Sequence, residues 1–411
     1  MTRRIPTVMA TIAAAAVAAW GCNDDRTPTS PSVLASAGGV GKGGICRDEE
    51  GNPLPIAPRS ARVDLEKPEF SDPTDIDNPL FPVSSQERVL LFGHVDGLSL
   101  RIEVTTLDDT RVFDLTPRPV ETRISQFVAL LDGRIHEVAI DHYAQADDGA
   151  VWYFGEFVFD YEDGVVVDTE GTWFAGTDGR PAMIMPANPQ VGNVWRPEDI
   201  CGLVFEEVSA TATGVTVDGP TGPVPGALIV QELHQDGLLE EKTFAPGYGE
   251  FISASNDGDL EALALAVPTD ALTGPTPAAL VTLRNGAIDA HDAAESGDWT
   301  AASAALAAMT IAWNVFKAGD VPPMLEEQVD DALADLAAAI AAEDEEDARQ
   351  AAIRTELGSL DLQLRYRSVG SIDLDLLELW QRQLTLDQDA GDQAGVLSDN
   401  VIIDQIEERL D

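Results

Sequence analysis

An oxygen-rich loop is the first feature of this sequence whose residues could do chemistry. Asp72, Asp75 and Asp77 crowd it, and Asn78 follows directly. Calcium is bound by several carboxylate and carbonyl oxygens, so these three aspartates are a candidate metal site. Asp and Asn also hydrogen-bond to their own backbone in turns, and that purely structural interpretation stays open. Calcium is the only cofactor that the sequence suggests.

A second candidate site lies in an aromatic stretch around residues 151–173. Strict alternation along a strand would place Trp152, Phe154 and Glu156 on one face, and Trp173 follows in the next strand segment. These four residues could line a concave ligand-binding pocket. Packing in a protein core is the alternative. The opposite face is apolar as well, so helices, residues 183–185 or a ligand must cover it.

Established catalytic motifs are absent from the sequence. There is no Gly-x-Ser-x-Gly elbow, His-Glu-x-x-His pair, phosphate loop or dinucleotide fingerprint. His142 follows Asp141, a pairing that could suggest acid–base work, but neighbours on one strand face opposite sides. The sequence therefore predicts no catalytic residue and favours a protein that is not an enzyme. A hydrolase with acidic residues in a β concavity is the alternative.

The charge balance excludes one class of partner. The 411 residues include 72 Asp and Glu against 25 Lys and Arg, which gives a net charge of −47. Nucleic-acid binding needs a concentrated basic surface, and none is visible, so no nucleic-acid partner is predicted. An acidic surface suits solubility, cations or a basic partner.

The N-terminus has the pattern of an export signal. Arg3 and Arg4 precede an apolar core at residues 12–19, and small residues lead to Cys22. The ending Ala19-Trp20-Gly21-Cys22 resembles the bacterial lipoprotein box, in which the cysteine is acylated. We therefore predict a signal peptide at 1–21, lipidation of Cys22, a membrane anchor, and a flexible tether at 22–65. A cleaved secretory signal is the alternative.

Two further cysteines fit an oxidising compartment. If Cys22 carries lipid, Cys46 and Cys201 remain as a pair. We predict a disulfide between them, which would join the N-terminal extension to the folded part. Two buried free thiols are the alternative.

The rhythm of turns predicts a β domain at residues 66–254. Asp-Gly pairs recur at 96–97, 132–133, 148–149, 163–164, 178–179, 218–219 and 236–237. They separate segments of alternating polarity, and Asp-Gly favours the primed turns of two-residue hairpins. About eight to ten antiparallel strands in a curled sheet or open barrel are expected.

After a connector at 255–275, the period changes from two residues to three or four. Residues 276–411 predict about six helices, with Thr276-Pro277 as the first cap. Asp298, Asp344 and Asp392 would each begin the second helix of a hairpin. The fold class is thus α+β in separate domains, and the hairpins could recruit a protein partner.

Several motifs together resemble an uncharacterised family of exported bacterial β domains. They are Asn78-Pro79-Leu80-Phe81-Pro82, DHYAQADDGAVWYFGE (141–156), YEDG (161–164), TEGTW (169–173), MIMPANPQVGN (183–193) and TFAPGYG (243–249). The resemblance spans about residues 75–254 and implies export and β architecture, without an activity. We therefore expect a cell-envelope lipoprotein, at the bacterial outer membrane or periplasmic face, that binds a ligand or partner.

Overall fold

A computed structural model of the chain describes residues 46–48, 50–255 and 258–410. The predicted signal peptide, Cys22 and the predicted tether as far as residue 45 lie outside the described residues. In the described part, an antiparallel sheet precedes six helices, which confirms the predicted α+β class.

The sheet contains 14 strands within the described residues, more than the sequence predicts. Their bounds in chain order are Arg88–Val95 (β1), Leu98–Phe113 (β2), Val120–Leu131 (β3), Arg134–Gln145 (β4), Val151–Glu162 (β5), Val165–Asp168 (β6), Trp173–Phe174 (β7), Ala182–Met185 (β8), Val194–Ile200 (β9), Val204–Gly219 (β10), Gly222–His234 (β11), Leu239–Ala245 (β12), Gly249–Ser255 (β13) and Leu260–Val267 (β14).

Three Asp-Gly pairs form the predicted primed turns. Asp96-Gly97, Asp132-Gly133 and Asp163-Gly164 all have positive φ at both residues. They join β1 to β2, β3 to β4 and β5 to β6. Positive φ at both central residues is what a two-residue type I′ turn requires, and its twist matches that of the strands.

Two runs of hairpins, β1–β6 and β9–β14, meet where β1 pairs with β14. The predicted connector at 255–275 is corrected here, because Leu260–Val267 is β14 and lies in the middle of the sheet. Leucine and alanine dominate this strand, so the usual β-branched signal is missing. The sheet curls without closing, and β8, which pairs with β5, packs against β9.

Six helices follow the sheet in three hairpins. They are Ala278–Glu295 (α1), Trp299–Phe316 (α2), Pro323–Ala342 (α3), Glu345–Gln363 (α4), Val369–Ala390 (α5) and Gln393–Leu410 (α6). Asp298, Asp344 and Asp392 accept backbone N–H bonds at the starts of α2, α4 and α6, as predicted. Thr276 does not cap α1, whose cap position is Pro277.

The helices cover the convex face of the sheet, and the two parts share one core. Leu90, Val138 and Leu265 of the sheet belong to the same apolar cluster as Leu280 and Leu325 of the helices. The expectation of separate cores is therefore corrected. Both faces of β1–β4 and β14 carry apolar side chains. The convex face must therefore be shielded from water, and the apolar faces of the helices pack against it.

Residues 50–65 of the predicted tether pack on the sheet. The predicted disulfide between Cys46 and Cys201 is present. Cys46 and Leu54 form an apolar cluster with Phe205 and Leu233, and Arg62 pairs with Asp64. This part of the segment is therefore ordered, because the disulfide and a small apolar cluster offset the entropy of fixing it.

Candidate functional site

The concave side of the curled sheet encloses a cavity of about 180 Å³, which we call the chamber. Apolar side chains such as Val89, Leu91 and Phe244 form part of its wall. Five carboxylates also line it, namely Asp141, Glu206, Glu232, Glu250 and Glu261. Among the described residues of this lining, Lys242 is the only cation.

Strand alternation explains how the acids reach the chamber. On β11, Val230, Glu232 and His234 fall on one face, and on β12 so do Glu240 and Lys242. The pairing places Glu232 opposite Glu240 and Glu206 of β10 opposite His234. A polar row thus crosses three neighbouring strands on the concave side.

Lys242 neutralises only part of this charge. Its Nζ lies 2.8 Å from Glu232 Oε2, 3.5 Å from Glu240 Oε2 and 3.9 Å from Glu250 Oε1. Burial alone would lower the pKa of Lys242, but the surrounding carboxylates raise it well above its ordinary value. The ammonium therefore keeps its proton at neutral pH, which excludes Lys242 as an amine nucleophile.

His234 bridges two carboxylates. Its Nδ1 lies 3.4 Å from Glu206 Oε1, and its Nε2 lies 3.3 Å from Glu240 Oε2. Although burial opposes the charged ring, these two contacts raise the pKa of His234 to about 10. The same contacts with His234 and Lys242 hold the pKa of Glu240 at about 2, against the effect of its own burial.

Other acids facing the chamber have the opposite shift. Burial, together with the neighbouring Glu206, raises the pKa of Glu232 to about 7. Burial and Glu250 raise the pKa of Glu261 to about 7, and burial raises that of Asp141 to about 6. These carboxylates are costly to ionise because they are buried and too few positive charges face them. A cation entering the chamber would relieve this cost.

A bulge in β5 corrects the predicted face of Glu156. The ladder pairs Asp141 with Glu156 and Tyr143 with Tyr153, so two residues of β5 lie opposite His142. Gly155 makes this possible with φ +105°, where an added Cβ would lie 2.0 Å from the Trp173 carbonyl oxygen. Glu156 therefore shares the face of Tyr153, not that of Trp152 and Phe154.

The four predicted ligand-binding residues do not form one pocket. Phe154 is fully buried in an apolar cluster, and the Trp173 indole donates to Glu198 Oε1 at 2.9 Å. Trp152 lines a separate groove of about 390 Å³ with Phe70, and its indole Nε1 has no hydrogen-bond partner. Core packing thus accounts for Phe154.

The predicted calcium loop has mainly structural contacts. Asp77 Oδ1 accepts a bond from Gln145 Nε2 at 2.6 Å, and Asp75 N donates to the Asp72 carbonyl oxygen at 3.3 Å. In the described chain, Asp72, Asp75 and Asp77 are not a group whose ligand atoms converge. Such a group does exist elsewhere, and it consists of Glu206, Glu232 and His234.

His142 and Asp141 lie on opposite faces, as the sequence indicates. Asp141 lines the chamber and accepts a hydrogen bond from Tyr153 Oη at 2.5 Å. His142 instead lies edge-on to Phe113, beside Arg111. Burial, and then the Arg111 charge, lower the pKa of His142 to about 3.

The chamber residues were missed at the sequence level. Their signal is a charged residue at every second position in two short segments. Glu232 and His234 are two residues apart in QELH (231–234), and Glu240 and Lys242 are two residues apart in LEEK (239–242). Such alternation is typical of a solvent-facing edge, and only the curl of the sheet shows that this face is enclosed.

Comparison with protein-family models, curated proteins and solved structures finds no match for this chain.

Proposed function

We propose that the protein is a lipid-anchored, non-catalytic binding protein of the cell envelope that takes a small cationic ligand into the chamber. The observation that carries this proposal is the charge imbalance of the lining, where five carboxylates outnumber Lys242 and the His234 ring that contacts Glu206. A pocket so lined attracts cations and rejects anions. Its volume of about 180 Å³ suits a metal ion or a small ammonium compound, not a large ligand.

Thermal melts with a panel of cations test this proposal. Calcium, zinc and small organic ammonium ions are added separately to the mature chain at pH 7.5, and at least one is expected to raise the melting temperature. A Glu250→Gln and Glu261→Gln double variant should bind that cation about tenfold or more weakly, because two acidic groups that line the chamber are lost. Stabilisation by an anion, and by no cation, would contradict the proposal.

A matched control comes from the same sheet. Glu241 is exposed and pairs with Gln231 on the side of β12 that faces away from Lys242. Glu241→Gln removes the same charge without changing the chamber, so it should leave cation affinity unchanged. Equal weakening in both variants would show a general effect of net charge.

A periplasmic or surface hydrolase is the second candidate. Glu232 and Glu240 pair across β11 and β12, and their pKa values lie at about 7 and about 2. Two carboxyl groups with separated pKa values can serve as an acid and a base. Turnover of a hydrolysable substrate that is lost in both Glu232→Gln and Glu240→Gln would favour this function over binding.

The anchor part of the proposal rests on the N-terminal sequence. Arg3 and Arg4, the apolar core and the Gly21-Cys22 ending support export and acylation of Cys22. Acylation would place the protein at the outer membrane or the periplasmic face.

Cys22→Ala is expected to move the protein from the membrane fraction to the soluble fraction. Loss of the acyl chains removes about 0.8 kcal/mol of membrane binding for each buried CH₂ group, and no other anchor is proposed. Immunoblots of fractionated cells would measure this, with Cys46→Ala as the control for loss of a cysteine. A Cys22→Ala protein that stays in the membrane fraction would contradict the anchor.

A protein partner would most readily contact α2. This helix has no charged residue, and by length and composition it is the helix in the described chain that could cross a membrane. On its outer face, the side chains of Ile311 and Val315 are 69% and 70% exposed. An exposed apolar face of this kind is typical of a surface that contacts another protein. Reduced capture of a partner by an Ile311→Glu variant would support this proposal.

A further inference from the structure

We propose that Glu206, Glu232 and His234 bind a divalent transition-metal ion of the zinc class, with Glu240 as a positioning residue. The inference rests on the proposed function and names the cation that the chamber takes. One ligand atom from each of the three residues lies within 4.8 Å of the other two. Small side-chain rotations would bring these atoms to the separations of a tetrahedral site.

The donor set selects the type of metal. Calcium and magnesium prefer all-oxygen sites, whereas an imidazole nitrogen beside carboxylates suits zinc and related ions. Three protein ligands are also the usual number where zinc keeps one open position. Glu206 and Glu232 line the chamber, so a water or a small ligand would fill the fourth position from there.

All three residues come from paired strands. Glu206 of β10 is opposite His234 of β11 in the ladder, and Glu232 precedes His234 by two residues on the same face. Backbone hydrogen bonds of the sheet thus fix their relative positions before any ion binds. A site on such elements costs less entropy to form than one on loops.

The second ring nitrogen of His234 is already held. With Nδ1 directed at Glu206, Nε2 faces Glu240 Oε2 at 3.3 Å. Metal-binding histidines typically donate their other N–H to a carboxylate, which fixes the ring and its tautomer. Glu240 is itself oriented by the Ser253 hydroxyl, which donates to Oε1 at 2.5 Å. This arrangement directs Nδ1 towards the metal position.

Lys242 is compatible with the ion. Two carboxylates balance a divalent cation, while Lys242 stays near Glu240, whose Oε2 lies 3.5 Å away. Glu232 Oε2 contacts Lys242 Nζ at 2.8 Å, which leaves Oε1 for the metal. The ammonium therefore limits repulsion around the site and does not occupy the position between Glu206 and His234.

Zinc titration of the untagged mature chain tests the inference. After dialysis against a chelator, competition with a chromophoric zinc indicator should show one bound zinc per chain. His234→Gln removes a metal ligand and should lower zinc affinity about a hundredfold. Glu240→Gln removes only the carboxylate that holds the His234 ring and should lower zinc affinity about tenfold, since carboxylates that orient metal ligands contribute about 10–100-fold. Glu241→Gln should leave affinity unchanged.

A positioning role for Glu240 has its own readout. X-ray absorption at the zinc edge should show one imidazole with oxygen ligands in the wild-type chain, and the same set in Glu240→Gln. Loss of the imidazole from the Glu240→Gln spectrum would show that Glu240 is essential to the site and not merely a positioning residue. The wild-type spectrum also tests the ligand set if His234→Gln fails to fold.

The outcomes separate this inference from the proposed function. Binding of calcium or an ammonium ion, without zinc, would overturn the zinc site and leave the cationic chamber standing. Zinc affinity that is unchanged in a folded His234→Gln would overturn the assigned ligands. Failure of every cation to bind would overturn both proposals.

Discussion

Replacing Asp373 with leucine is expected to lower the free energy of unfolding by about 3–5 kcal/mol. Asp373 of α5 forms a two-bond ion pair with Arg88 of β1, at 2.8 and 2.9 Å. Both side chains are 1% exposed. Without Asp373, the Arg88 guanidinium would stay buried between sheet and helices without the carboxylate that it pairs with.

This pair belongs to a network that joins the sheet to the helices. Arg101 bonds Asp361 of α4 at 2.7 Å, and Arg409 of α6 bonds Glu103 at 2.7 Å. Arg409 also lies 3.5 Å from Asp373. Each of these arginines is paired with a carboxylate, so replacing one residue of a pair leaves an unbalanced charge in the shared core.

Urea unfolding of three variants would measure the effect. Asp335→Leu is the control, because its pair with Arg354 is about half exposed and should contribute at most about 1 kcal/mol. Arg88→Met combined with Asp373→Leu should recover most of the loss, since no buried charge is left alone. If Asp373→Leu alone lowers the free energy of unfolding by less than about 1 kcal/mol, the stabilising role of the network is contradicted.

Raising the pH from 5 to 8 is expected to destabilise the protein by several kcal/mol. The pKa values of Asp141, Glu232 and Glu261 are about 6, 7 and 7 in the folded chain, above those of an unfolded chain. The folded state then binds more protons than the unfolded state, so stability falls as the pH rises through these values. Each pKa unit corresponds to about 1.4 kcal/mol.

Neighbouring groups do not reverse the sign. The raised pKa of His234, at about 10, also makes the folded state hold a proton that the unfolded state loses above its ordinary pKa. Glu240, with a pKa of about 2, is ionised in both states between pH 5 and 8. Its contribution is lost only as the pH falls towards 2.

Thermal or urea unfolding across this pH range would check the prediction. Glu232→Gln, which cannot ionise, should flatten the pH profile, and Glu241→Gln should not. A bound cation should also flatten it, by favouring the ionised acids. A stability that rises between pH 5 and 8 would contradict the pKa assignments in the chamber.

Local signals in the sequence predict much of this fold. Asp-Gly at 96–97 is a two-residue turn because aspartate and glycine tolerate the positive φ values needed there. Asp344 caps α4 through one short-range hydrogen bond. Both features depend on residues close in sequence, so the pattern alone is sufficient.

The candidate site depends on contacts that are distant in sequence. The bulge at Gly155 reverses the face of Glu156, and one inserted residue of this kind is invisible in an alternating pattern. Pairing of β1 with β14 curls the two hairpin runs into one sheet. Without that pairing, Asp141 of β4 and Glu232 of β11 would not line a common cavity.

By itself, the sequence determined the acidic charge, the change from strand to helix periodicity and the hairpin turns, and it predicted the Cys46–Cys201 pairing that the structure contains. Only the tertiary structure decided that both parts share a core and that Lys242 faces five carboxylates. The physical reason is that alternation shows which residues share a face, but not what that face meets. The curl of the sheet and the helices on its other side determine which face encloses the site.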